Sequence, residues 1–156
     1  MNRLFSPARV GLALLAVALA GSAASAQSYS PRQYYGGIRK HPTANYSYRP
    51  LYYKPTPTYV GYKHHYAVYV PAQPRYVYFY NPYKKQYWGR CPVAAQGEAQ
   101  YSLLAEKDRK GNLNEIPETA FPAPGKLPPL PESTDGATLE LPPDDLPGAD
   151  TLPTGR

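Results

Sequence analysis

The chemistry open to this chain is set by a histidine pair, one thiol and an excess of phenols. His64 and His65 are adjacent, with His41 apart from them. Neighbouring residues on a strand point to opposite faces, so the pair cannot readily share one ion, and no acid or cysteine stands near them to complete a tetrahedral site. No metal and no other cofactor is expected. Cys91 follows Arg90, whose charge can lower a thiol pKa toward that of a nucleophile, but no base motif accompanies it around His64 or His65. As the one cysteine of the chain it cannot close an intramolecular bridge, and its expected role is an intermolecular disulfide joining a homodimer. Every carboxylate lies after Gly97, mostly in a proline-rich stretch. A rigid acid/base pair is therefore not expected, a glycine-rich phosphate loop is absent from the sequence, and the chain does not read as an enzyme.

What remains is recognition by rings and cations. The segment 75–92, RYVYFYNPYKKQYWGRCP, concentrates both. Tyr76, Tyr78 and Tyr80 alternate with Val77 and Phe79, a period of two that puts the phenols on one face of a strand. Asn81-Pro82 breaks the run: proline fixes its own φ, and the asparagine side chain can bond nearby backbone. Tyr87 and Trp88 resume it, which predicts a hairpin. The candidate partner-binding residues are Tyr76, Tyr78, Tyr80, Tyr83, Lys84, Lys85, Tyr87, Trp88 and Arg90. Tyr78 and Trp88 are also expected to stabilise the hairpin by their bulk.

The elements that must position this hairpin are sparse. Tyr66, Val68 and Val70 alternate with Ala67 and Tyr69, adding one strand before it. The expected fold class is therefore a mostly disordered or extended chain carrying a small antiparallel β-meander of about three strands, preceded by a cleaved N-terminal signal helix. Leu103, Leu104, Leu113, Ile116 and Phe121 are expected to cover the sheet, and Ala99 to Glu106 reads equally as a helix or a fourth strand. Four segments follow from composition: a signal peptide at 1–26, a Tyr/Pro/Gly-rich extended segment at 27–58, a small β-rich module at 59–116 and an acidic, Pro-rich disordered tail at 117–156. The first rests on Arg3 and Arg9 before an apolar run from Val10 to Ala20, with Ala24-Ser25-Ala26 as a cleavage site. That run is too short to cross a bilayer, so no transmembrane anchor is expected after cleavage. The last rests on ten prolines in forty residues, too little apolar surface to offset ordering entropy.

Charge divides the mature chain into opposite poles. From Gln27 to Gly97 there are ten lysines and arginines and no acid, whereas Glu98 to Arg156 holds eleven acids against five bases. The head should attract an anionic polymer, a wall glycan or an envelope protein, and also its own tail, which is expected to fold back and compete with that partner. Basic residues among aromatics also describe a single-stranded nucleic-acid platform, but secretion disfavours nucleic acid.

The blocks Tyr78-Phe79-Tyr80-Asn81-Pro82, within YFYNP, and Tyr87-Trp88-Gly89-Arg90-Cys91-Pro92 resemble a motif of uncharacterised, Tyr-rich small secreted bacterial proteins, a group with no activity to carry over. The hairpin also resembles WW modules at Tyr78, Phe79, Asn81, Trp88 and Pro92, without their upstream tryptophan, and the YYKPTPTY stretch is similar in composition to extensin-type wall proteins. The function expected is that of a non-enzymatic secreted, periplasmic or cell-envelope-associated binding protein with a basic, tyrosine-rich surface. The alternative is a structural matrix or wall protein assembled through tyrosine cross-linking.

Overall fold

A computed structural model of the chain describes residues 31–93 and 100–145. They form one antiparallel sheet of seven strands: β1 (Gln33–Tyr35), β2 (Arg39–Lys40), β3 (Ser47–Tyr53), β4 (Lys63–Tyr69), β5 (Tyr76–Asn81), β6 (Gln86–Pro92) and β7 (Ser102–Leu103). The spatial order is β1-β3-β4-β5-β6-β7, and β2 lies beside β1 on the outer edge of β3. Three short 3-10 turns follow, and no α-helix occurs among the described residues. This overturns the expected three-strand meander in a mostly disordered chain. The three expected strands are β4, β5 and β6, the centre of a larger sheet. The signal segment 1–26 lies outside the described residues.

The strand that composition concealed is β3, SYRPLYY. Proline normally argues against a central strand because it lacks an N–H. Pro50 escapes the penalty through its position. Its carbonyl accepts a bond from the Gly36 N–H at 2.8 Å, so its missing N–H faces the same edge, where the neighbour of β3 changes from β1 to β2. Glycine is required at 36: a Cβ there would meet Pro50 Cγ at 2.7 Å.

Register divides the side chains between two faces. Gln33, Tyr35, Arg49, Leu51, Tyr53, His65, Ala67, Val77, Phe79, Gly89 and Cys91 share one of them. Opposite Trp88 the β5–β6 ladder slips by one residue, a bulge that turns the indole onto this face as well, with the Phe79 and His65 rings 5.3 and 5.7 Å away. The cover over this face is the acidic segment itself. Leu130 and Leu139 are fully buried there, with Leu127, Ala137 and Leu141 packed around them. Of the aliphatics expected to supply the cover, Leu104 and Ile116 are buried, but Leu103 is exposed.

Residues 125–141 are held by directed contacts as well as by burial. Gln33 donates from Nε2 to the Thr138 carbonyl at 2.7 Å and accepts from the Glu140 N–H at 3.0 Å. The Tyr35 hydroxyl donates to the Glu140 carbonyl at 2.7 Å. A Pro129–Thr138 bridge folds the segment into a narrow loop closed by Glu132 and Gly136 at positive φ. Arg32 holds Asp135 in a two-pronged ion pair, Lys63 meets Glu132, and Arg49 meets Asp145 at 2.9 Å. Expected disorder in 117–145 is thus corrected: the segment has no core of its own, but each buried leucine gains about 2 kcal/mol from a sheet face already built.

Candidate binding cleft

The opposite face of the sheet carries the phenols. Tyr48 and Tyr66 project from β3 and β4, Tyr80 and Tyr87 from β5 and β6, and Tyr46 stands at the mouth of β3; together they line a cleft of about 890 Å³. Its walls are completed by His41, Val68, Val70, Gln73, Asn112 and Asn114. Neighbouring rings support one another at aromatic-pair distances, with Tyr48 and Tyr66 edge to face at 5.3 Å and Tyr80 and Tyr87 likewise at 5.0 Å.

Each wall is built locally. His41 is the pivot of the turn between β2 and β3: its Nδ1 accepts from the Ala44 N–H at 2.9 Å, its own N–H donates to the Tyr46 carbonyl, and its ring lies 4.6 Å from that of Tyr46. The far wall is the turn at Leu113–Glu115, capped by the Asn112 side chain, which accepts from the Asn114 N–H. It is tied to β6 where the Tyr87 N–H donates to the Lys110 carbonyl at 2.8 Å.

The residues lining the cleft are uncharged apart from His41, and its borders carry three cations, with the exposed carboxylate of Glu115 in the far-wall turn. Burial raises the pKa of Tyr46 and Tyr66 and pushes Tyr87 up to about 12. All three remain phenols at neutral pH, each able to donate and accept. Among the described residues no carboxylate lines the cleft. Arg39 pairs with Tyr48 across the ladder and so shares its face, while Lys85 and Lys110 sit in the turns at the other end, the Lys85 carbonyl lying 2.9 Å from where a Gly111 Cβ would stand. None of these three cations has an ion-pair partner among the described residues. Four of the described acids, Asp135, Asp145, Glu132 and Glu118, instead pair with Arg32, Arg49 and Lys63, the last two on the covered face, and with Arg90 near β7.

The residues expected to bind a partner are divided by this geometry. Tyr80 and Tyr87 line the cleft; Tyr83, Lys84 and Lys85 occupy the exposed β5–β6 turn, which Asn81 Oδ1 organises by accepting from the N–H groups of Tyr83 and Lys84. Tyr78, Trp88 and Arg90 are buried and present no surface to a partner. Trp88 lies under the acidic segment. Arg90 is sandwiched between the rings of Tyr76 and Phe121, 3.7 and 4.0 Å from their centroids, and paired with Glu118. Cys91 is buried too, and burial pushes its thiol up to about 12. A neutral, enclosed thiol is neither a nucleophile nor placed to meet a second chain.

His64 and His65 point to opposite faces, as adjacent strand residues must. His64 lies among Tyr52, Tyr66 and Tyr83 on the phenol face; His65 is buried against Tyr53 and Trp88. Tyr46, Tyr48, Tyr66 and the asparagines at 112 and 114 were not singled out by the sequence as binding residues. The alternation Tyr46, Tyr48, Tyr52 was the available signal, and Pro50 obscured it.

No protein-family model matches this sequence, and neither a curated protein nor a solved structure is similar enough to count as a relative.

Proposed function

We propose that the protein is a non-enzymatic binding protein that acts outside the cytoplasm and holds an acidic glycan in the tyrosine cleft. The observation that carries this reading is the partition of charge: among the described residues, three of the four acids in ion pairs sit at or beyond residue 132 and engage bases of the covered face or its edge, while Arg39, Lys85 and Lys110, which have no ion-pair partner there, stand near the cleft. Phenol rings give flat apolar platforms for the faces of sugar rings, and Gln73, Asn112, Asn114 and the phenol hydroxyls supply paired donors and acceptors for sugar hydroxyls. Arg39, Lys85 and Lys110 supply positive charge near the cleft that attracts carboxylates or sulfates. The signal-like pattern of residues 1–26 supports a site of action in the periplasm, the envelope or the medium.

Retention of the chain lacking residues 1–26 on an immobilised polyuronate and on a neutral glucan tests this. Retention on the polyuronate alone, reversed by salt and weakened in Tyr48→Ala, is expected. Equal retention on both matrices, or binding indifferent to Tyr48→Ala, contradicts it, and preferential capture by single-stranded nucleic acid would replace the glycan as ligand.

A further inference from the structure

Tyr83 is the most exposed aromatic residue among those described, at 57%, yet its hydroxyl is not free. It accepts from the His64 backbone N–H at 3.3 Å and lies 3.4 Å from His64 Nδ1. The phenol oxygen accepts from the backbone N–H and can give its own proton to Nδ1 when that nitrogen carries no hydrogen. The tautomer this requires carries its N–H on Nε2, and Nε2 faces the Tyr66 hydroxyl at 3.3 Å. Tyr34 is also exposed, at 41%, but its ring is stacked on Tyr52 and edged by Tyr62, and no described hydrogen bond offers its phenol a base. Exposure and a proton acceptor thus coincide at Tyr83.

We propose that Tyr83 is a site of oxidative coupling, at which two copies of this chain are joined by a dityrosine bond under a peroxidase and hydrogen peroxide. The phenol of each copy loses one electron to the oxidised peroxidase, and its proton passes to His64 Nδ1 because a one-electron-oxidised phenol is strongly acidic. Two neutral phenoxyl radicals then form a carbon–carbon bond between their ortho positions. The ortho hydrogens shift to the oxygens as both rings become aromatic again. Overall, two tyrosines lose two electrons and two protons, and one hydrogen peroxide becomes two waters. The turn leaves one side of the ring open to a partner: Asn81 organises the β5–β6 turn that carries Tyr83, and the ring stays more than half exposed while its other side rests against the rings of His64 and His65, 5.6 and 6.3 Å away. His64 is a positioning and proton-accepting residue; it does not itself couple. This inference is independent of the glycan reading.

The test is to treat the full mature chain with a plant peroxidase and hydrogen peroxide, separate it on a reducing gel, and map the cross-linked peptides by mass spectrometry. Reduction removes any dimer made through Cys91. A dityrosine-fluorescent dimer whose main linkage contains Tyr83 is expected, with a several-fold loss of dimer in Tyr83→Phe. His64→Gln should slow dimer formation and shrink its solvent deuterium isotope effect while near-ultraviolet circular dichroism stays unchanged. A wild-type dimer yield in Tyr83→Phe, or linkages mapped chiefly to other tyrosines, overturns the site. An unchanged rate and isotope effect in His64→Gln overturns the role of the histidine.

Discussion

Gly89 lies directly against the ring of Tyr101: a Cβ on Gly89 would stand 2.6 Å from Tyr101 Cζ and closer still to its hydroxyl. Tyr101 is fully enclosed, packed on Phe79 and Trp88 at 5.2 and 5.4 Å, and tied to Gly125 by paired backbone bonds. It cannot yield without disturbing the core. Gly89→Ala should therefore lower stability by about 1–3 kcal/mol, the usual cost of overpacking a rigid site. Thermal unfolding of the variant measures it, and an unchanged midpoint would mean that the ring moves aside freely.

The acidic segment is a structural layer. Leu139 is fully buried against the sheet, so Leu139→Ala should cost about 2–5 kcal/mol and make the segment sensitive to proteases before the sheet itself is cut. Denaturant unfolding with parallel limited proteolysis reads both. Wild-type stability in this variant would return 125–141 to the role of a solvated spacer.

The hairpin was legible because its signals were local: alternation in Tyr76–Tyr80, a side-chain-capped turn at Asn81, and rings in Tyr87 and Trp88. The faces were not legible. A bulge opposite Trp88 moves the indole to the covered side, and no local pattern announces it. Likewise, Leu130 and Leu139 look isolated in a proline-rich run, and only the distant face formed by Leu51, Tyr53 and Phe79 gives them something to bury against. Opposite charge did foretell that the tail would meet the head. It did not foretell which face the tail would take, and the covered face is the one away from the phenol cleft, so competition for the cleft does not follow.

Burial, with further contributions from the charges of His64, Lys63 and Lys84, pulls His65 down from 6.5 to about 3. The folded state thus refuses a proton that the unfolded chain accepts, so stability falls as pH drops below 6.5 and continues to fall toward pH 3. Glu118 and Asp135, both held low by arginine partners, add losses only as pH falls through the ordinary carboxylate range and below it. Between pH 6.5 and 4.5 the dependence belongs mainly to His65 and should amount to about 2 kcal/mol. Unfolding free energies across that window should flatten in His65→Leu; an equal slope in the variant would contradict the assignment.

Cys91 offers a separate check on the packing. A thiol pushed up to about 12 and enclosed in the core should resist alkylation under native conditions and react fully once the chain is unfolded. Mass spectrometry after a timed iodoacetamide pulse measures this. Rapid native labelling, or a thiol-linked dimer formed without unfolding, would show that β6 opens where the fold holds it closed.

The most direct test of the two-faced arrangement is a titration of the isotope-labelled chain lacking residues 1–26 with an oligouronate, followed by two-dimensional NMR. The ring signals of Tyr46, Tyr48, Tyr66, Tyr80 and Tyr87, which line the cleft, should shift, with the Trp88 indole and the methyls of Leu130 and Leu139 unmoved. Shifts confined to Trp88 and the acidic segment, with the cleft tyrosines silent, would contradict it.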